Sequence, residues 1–114
     1  MDEKYIDSVL KALCELSCNY YGVYVFPART IAGRIESSYR KVLNALHVLR
    51  DRGLVKRSSM GCPAVESCGE YHELECEAAP PINGWSLTEK GNDTKIAELA
   101  YQEYCEGLRK WAES

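Results

Sequence analysis

The segment TIAGRIESSYRKVLNALHVLRDRGLVKRSS, Thr30 to Ser59, carries in order a short helix, a turn, a longer helix, a stop and a strand. ARTIAGRI, residues 28–35, reads as the short helix, with Ile31, Ala32 and Ile35 turned inward. ESS forms the turn, where Ser37 or Ser38 can cap the next helix by accepting a hydrogen bond from one of its first free N–H groups. That helix runs through YRKVLNALHVLRDR, residues 39–52. Val42, Leu46 and Leu49 recur on its inner face. Gly53 ends it, because only glycine takes the left-handed conformation of a helix stop without strain. LVKRSS, residues 54–59, then reads as a strand.

Upstream, Ile6, Val9, Leu10, Leu13 and Leu16 recur at helical spacing from Asp2 to about Asn19, with Cys14 flanking the stripe. Gly22 breaks this helix, Val23 to Phe26 favour a short extended strand, and Pro27 closes it. Downstream, MGCPAVESCG reads as loop, YHELECE alternates like an extra strand, and APP interrupts it. GWSLT, residues 84–88, is the return strand and EKGND a turn. Asn92 or Asp93 is expected to cap a final helix over residues 93–112. Ile96, Leu99, Ala100, Tyr104, Leu108 and Trp111 form its apolar stripe.

At 114 residues the chain fits one domain, residues 1–114, with a single modest core. The fold class expected is mostly α with a small β hairpin, α+β. The opening MDEKYIDSVL is acidic and helix-like, unlike a signal or transit peptide. No apolar run approaches the ~18 residues that suggest a membrane span. A cytoplasmic location follows as the expectation, with no membrane partner and cysteines kept as thiols.

This order of elements resembles the winged helix–turn–helix superfamily. LRDRGLV is similar to the usual exit of the recognition helix, and WSLTEKG, Trp85 to Gly91, looks like the second wing strand and exit turn of MarR- and PadR-like transcriptional regulators. The resemblance covers nearly the whole chain through a general pattern. It implies a helix–turn–helix at about 28–53, an extended wing at about 54–88 and the C-terminal helix at about 93–112. It also implies sequence-specific binding of double-stranded DNA, with the recognition helix, about residues 37–52, in the major groove.

Charge distribution agrees with that expectation. The chain is formally −3, but residues 29–57 hold eight basic residues against Glu36 and Asp51, a local +6, and the remainder is −9. A phosphate backbone meets the local charge, not the total. With Val42, Leu46 and Leu49 inward, Arg40, Asn44 and His47 line the opposite face with Lys41 beside them. Arg40 suits guanine and Asn44 adenine. Ser37, Ser38 and the helix start suit phosphate oxygens, and Arg50, Arg52, Lys56 and Arg57 suit backbone contacts. A solvated charged face is the ordinary explanation for any one of these residues. The combination with the helix–turn–helix order is what favours DNA.

The wing departs from the DNA-binding pattern. It carries Glu66, Glu70, Glu73, Glu75 and Glu77, with no Lys or Arg from Ser58 to Glu89, so it either points away from the duplex or meets protein. Cys62, Cys68 and Cys76, with His72, could supply three thiolates and an imidazole to zinc, and some winged-helix proteins carry iron–sulfur clusters. The spacings of five and seven residues lack a CxxC knuckle. Unligated thiols, with no metal or cofactor, are the expectation. Cys14, Cys18 and Cys105 read as small buried hydrophobes.

The chain has no Gly-rich phosphate loop, HExxH or nucleophile elbow, so an enzyme is not expected. The terminal stripe of Ile96, Leu99, Tyr104, Leu108 and Trp111 exceeds what the first helix can cover, which makes it the expected homodimer contact. The alternatives are a winged-helix module that binds only protein, and a metal or redox sensor acting through the wing cysteines.

Overall fold

The computed structural model describes residues 2–19, 24–60 and 82–113. It is mostly helical with one two-stranded antiparallel sheet. Helix α1 spans Glu3–Asn19, α2 Ala28–Arg34 and α3 Tyr39–Asp51. Strands β1, Val55–Met60, and β2, Ile82–Leu87, are followed by a single helical turn, α4, Glu89–Asn92. The long α5 spans Lys95–Glu113.

Helix α1 is the centre of the packing and lies against α2, α3 and α5. Its stripe of Ile6, Val9, Leu10, Leu13 and Leu16 is buried, as are Val42, Leu46 and Leu49 of α3 and Ile31 and Ala32 of α2. Fully burying such an aliphatic side chain contributes roughly 1.5–3 kcal/mol, so these facing stripes are what join α1, α2 and α3. Of α5, only Ala100 is buried; Ile96, Ala97 and Tyr104 are half-buried.

The turn between α2 and α3 places Glu36 at φ 52°, in the left-handed region. Ser38 then caps α3 by accepting from the Lys41 N–H at 3.3 Å. Gly53, at φ 78°, stops α3 and turns the chain into β1. Strand register runs from Val55 opposite Leu87 to Met60 opposite Ile82. Phe26 adds a third rung: its N–H and carbonyl exchange 2.9 Å hydrogen bonds with those of Trp85. The expected helix break at Gly22 and Val23 of the expected extended segment lie outside the described residues, and of the segment's described part Phe26 forms a bridge with the return strand.

The junction before the last helix differs from the expected turn. Residues 89–92 are helical, capped by Thr88, whose oxygen accepts from the Gly91 N–H at 3.0 Å. The final helix begins at Lys95, and Thr94, not Asn92 or Asp93, accepts from the Ala97 N–H at 3.2 Å. Asn92 and Asp93 are eligible caps by type, but the first helical turn consumes both positions. The expected loop, the extra strand YHELECE and the wing glutamates lie outside the described residues. Among the described residues no helix is long and apolar enough to cross a membrane.

Candidate nucleic-acid interface

Helix α3 presents two faces because its apolar residues recur every three or four positions. Val42, Ala45, Leu46 and Leu49 are buried, while Arg40, Lys41, Asn44 and Arg50 are exposed. The ion pairs among the described residues are Lys11–Glu103, Arg34–Glu15 and Arg52–Glu3. Arg40, Lys41 and Arg50 take part in none of them. Their charges stand at the surface with their donors available.

Other basic and polar residues are engaged. Both guanidinium nitrogens of Arg52 donate to the Glu3 carboxylate, one of them at 3.0 Å. This ties the end of α3 to the start of α1, holds the Glu3 carboxyl below the usual range and raises the Arg52 guanidinium further. The Ser37 hydroxyl shares a 2.6 Å hydrogen bond with the Tyr5 hydroxyl, and the Ser38 oxygen serves as the α3 cap. His47 follows Arg40 and Asn44 in helical phase, yet it is half-buried. Its ring stands edge-on to Trp85, with centroids 5.4 Å apart.

Lys56 and Arg57 are exposed on β1. The Arg57 guanidinium lies over the Trp85 ring, 5.1 Å from its centroid, and the Arg29 guanidinium lies 5.6 Å from the centroid of Tyr39. Sequence reasoning assigned no role to Arg29 or Tyr39. Ten positions separate them, and only the turn between α2 and α3 brings them together; no local periodicity announces such a pair.

Cys62, Cys68, His72 and Cys76 lie outside the described residues. Among the described residues no group of three His, Cys, Asp or Glu side chains is arranged to hold a metal ion. Cys14 is buried, and Cys18 and Cys105 are half-buried. Burial, helped by the neighbouring Cys18 and Glu15, pushes the Cys14 thiol up to about 12. Cys18 is raised as well, by burial first and then by Cys105 and Glu15. The Tyr101 hydroxyl is raised mainly by its hydrogen bond with Cys105.

On α5, Leu99, Tyr101, Leu108 and Trp111 are exposed. Leu108 lines a groove together with Cys18 and Asn19 at the end of α1. Ile96 and Tyr104 are half-buried, so the expected apolar stripe divides into a packed part and an open part. Compared with known proteins, the chain matches no family model, no curated protein and no solved structure.

Proposed function

We propose that the chain is a winged helix–turn–helix protein that binds double-stranded DNA sequence-specifically and regulates transcription, acting by binding and not by catalysis. The observation that supports this reading is the outer face of α3. Arg40, Lys41 and Asn44 stand exposed together, backed by a buried apolar face that fixes the helix. An α-helix with exposed guanidinium and amide groups fits the width and the donor–acceptor pattern of the major groove. Arg50, Lys56 and Arg57 add positive charge on either side for the phosphates.

The reading includes a homodimer through α5, favoured by the exposure of Leu99, Tyr101, Leu108 and Trp111 on one helix. Two copies would present two α3 helices to half-sites about one duplex turn apart. The different-class reading, a module that binds only protein, draws on the same exposed residues.

Titration of a random-sequence duplex at ~50 and ~200 mM salt tests the choice. Phosphate contacts predict binding that weakens steeply with salt. Selection from a random duplex pool should then enrich one sequence. No binding to any duplex at ~50 mM salt, where phosphate contacts are strongest, would overturn the DNA reading in favour of the protein module.

A further inference from the structure

A groove of about 150 Å³ opens between α3 and the β1–β2 hairpin, lined by Ala28, Arg29, Tyr39, Leu43, Arg57 and Trp85 among others. We propose that this groove is a notch for a single phosphodiester, in which Arg29 and Arg57 reach the same phosphate from opposite walls. The proposal rests on the DNA reading above; it adds Arg29 to that reading and assigns Arg57 the same phosphate.

Three observations carry it. First, each guanidinium lies against an aromatic ring, Arg29 on Tyr39 and Arg57 on Trp85. A cation–π contact consumes no N–H donor, so the donors of both guanidinium groups remain for a tetrahedral oxyanion. Second, neither arginine belongs to an ion pair among the described residues, unlike Arg34 and Arg52. The described lining of the groove contains no Asp or Glu. Two cations thus line the groove with no described carboxylate among them.

Third, the backbone is built to bring the two walls together. Gly84 of β2 lies so close to the chain entering α2 that a methyl group at its Cα would meet the Phe26 carbonyl and come within 2.7 Å of the Pro27 nitrogen. The paired hydrogen bonds of Phe26 and Trp85 hold this approach. Arg29, just inside α2, is thereby set beside the hairpin that carries Arg57. Among the lining residues Ala28 and Leu43 are apolar, while Arg29, Arg57, Asn83 and the Tyr39 hydroxyl can donate to phosphate oxygens.

The test compares wild type with Arg29→Gln, Arg57→Gln and the double variant on a random-sequence duplex. Gln keeps a planar group to lie on each ring while removing the charge, and circular dichroism checks the fold. If one phosphate is shared, each single substitution weakens binding by about tenfold at ~100 mM salt but leaves the salt slope nearly unchanged. Only the double variant makes the slope shallower by about one. A slope that drops by about one in each single variant and about two in the double would mean two separate phosphates and would overturn the shared notch. Unchanged affinity in all three variants would overturn it too, leaving the DNA reading in place. A thymidine dinucleotide, read by quenching of Trp85 emission in a Trp111→Phe background, separates the notch from the DNA reading. Saturable quenching lost in the double variant supports the notch even if no duplex binds. No quenching together with no duplex binding overturns both.

Discussion

The His47 ring stands edge-on to the indole of Trp85, with the ring planes at 88°, and joins the outer edge of α3 to β2. Trp85 is 1% exposed and also carries the Phe26 bridge and the Arg57 guanidinium. It is the residue on which α3, the hairpin and the segment before α2 converge. His47→Ala should therefore lower stability by about 0.5–1.5 kcal/mol, the range for an edge-to-face aromatic pair, while leaving the preferred DNA sequence unchanged. Trp85→Ala should cost about 3–5 kcal/mol. Urea denaturation measures both. A His47→Ala protein of full stability with altered base preference would return His47 to the base-reading face.

Arg40 and Asn44 are the residues predicted to read bases, since both are exposed one turn apart on α3. Arg40→Ala and Asn44→Ala should each weaken a selected site by about 1–3 kcal/mol more than random duplex. Lys56→Ala, at an exposed position of β1, should weaken all duplexes alike and make the salt slope shallower by about one. Equal loss on selected and random duplex for all three would mean that α3 contacts only the backbone.

Much of this arrangement is legible in the linear sequence, for a physical reason. The helices are amphipathic, so burial at Val42, Leu46 and Leu49 is written in a local period. The cap at Ser38 and the stop at Gly53 are single-residue signals. What the period cannot carry is the choice among residues on one polar face. Arg50 and Arg52 look equivalent in sequence, yet Glu3, 49 positions away, takes Arg52. Tyr5 takes Ser37, and Trp85 takes His47. Each of these partners comes from an element distant in sequence. The junction at 88–94 misleads for the opposite reason, because four eligible capping residues crowd into seven positions.

The Glu3–Arg52 pair should make a pH-dependent contribution. Its carboxyl lies below the usual glutamate value of about 4.3, so its stabilisation is present above that value. It is lost as pH falls through the lower, folded-state value. Glu3→Gln should thus be slightly less stable than wild type at pH 7, and the difference should vanish under stronger acid. Both groups stand in water, so the effect is small, as for surface ion pairs generally. Thermal melts from pH 7 down to pH 2 test this. A difference that persists at the acid end would show that the change acts through α1 helicity, not through the charge.

Cys14 predicts the alkaline side. Its thiol is raised to about 12 in the folded chain, by burial before any charge effect, against an ordinary value of about 8.5 when unfolded. The folded state therefore holds its proton longer. Stability from this group is complete below about pH 8.5 and declines as pH rises toward the folded value. Cys14→Ala should flatten that decline, at a modest cost in packing. In the native protein a thiol reagent at pH 8 should modify Cys14 far more slowly than after unfolding, since the thiolate is the nucleophile. Equally fast labelling in both states would overturn the prediction.

The apolar stripe of α5 leads to the last prediction, a dimer. Ala100, Tyr104 and Leu108 follow one line on α5, and all three line a groove with Cys18 and Asn19 at the end of α1. Trp111, nearly one turn further along the same face, is 79% exposed, and Leu108 is 49% exposed. The stripe thus runs on past the point where the described part of α1 stops. Tyr101 flanks it, and aromatic residues at such positions are enriched in interface cores. A second copy laid along α5 would bury these residues symmetrically, as a two-fold interface requires. Leu108→Ser together with Trp111→Ser should shift dimerisation by at least about 2 kcal/mol, because both remove central apolar contacts. Monomer stability should fall by less than dimer affinity, because Leu108 and Trp111 are 49% and 79% exposed. The same double substitution should weaken binding to a two-half-site duplex far more than to a single half-site, since bivalence is lost. Light scattering decides it: an intact chain that is monomeric at ~100 μM, above the dissociation constants of ordinary homodimers, overturns the α5 dimer.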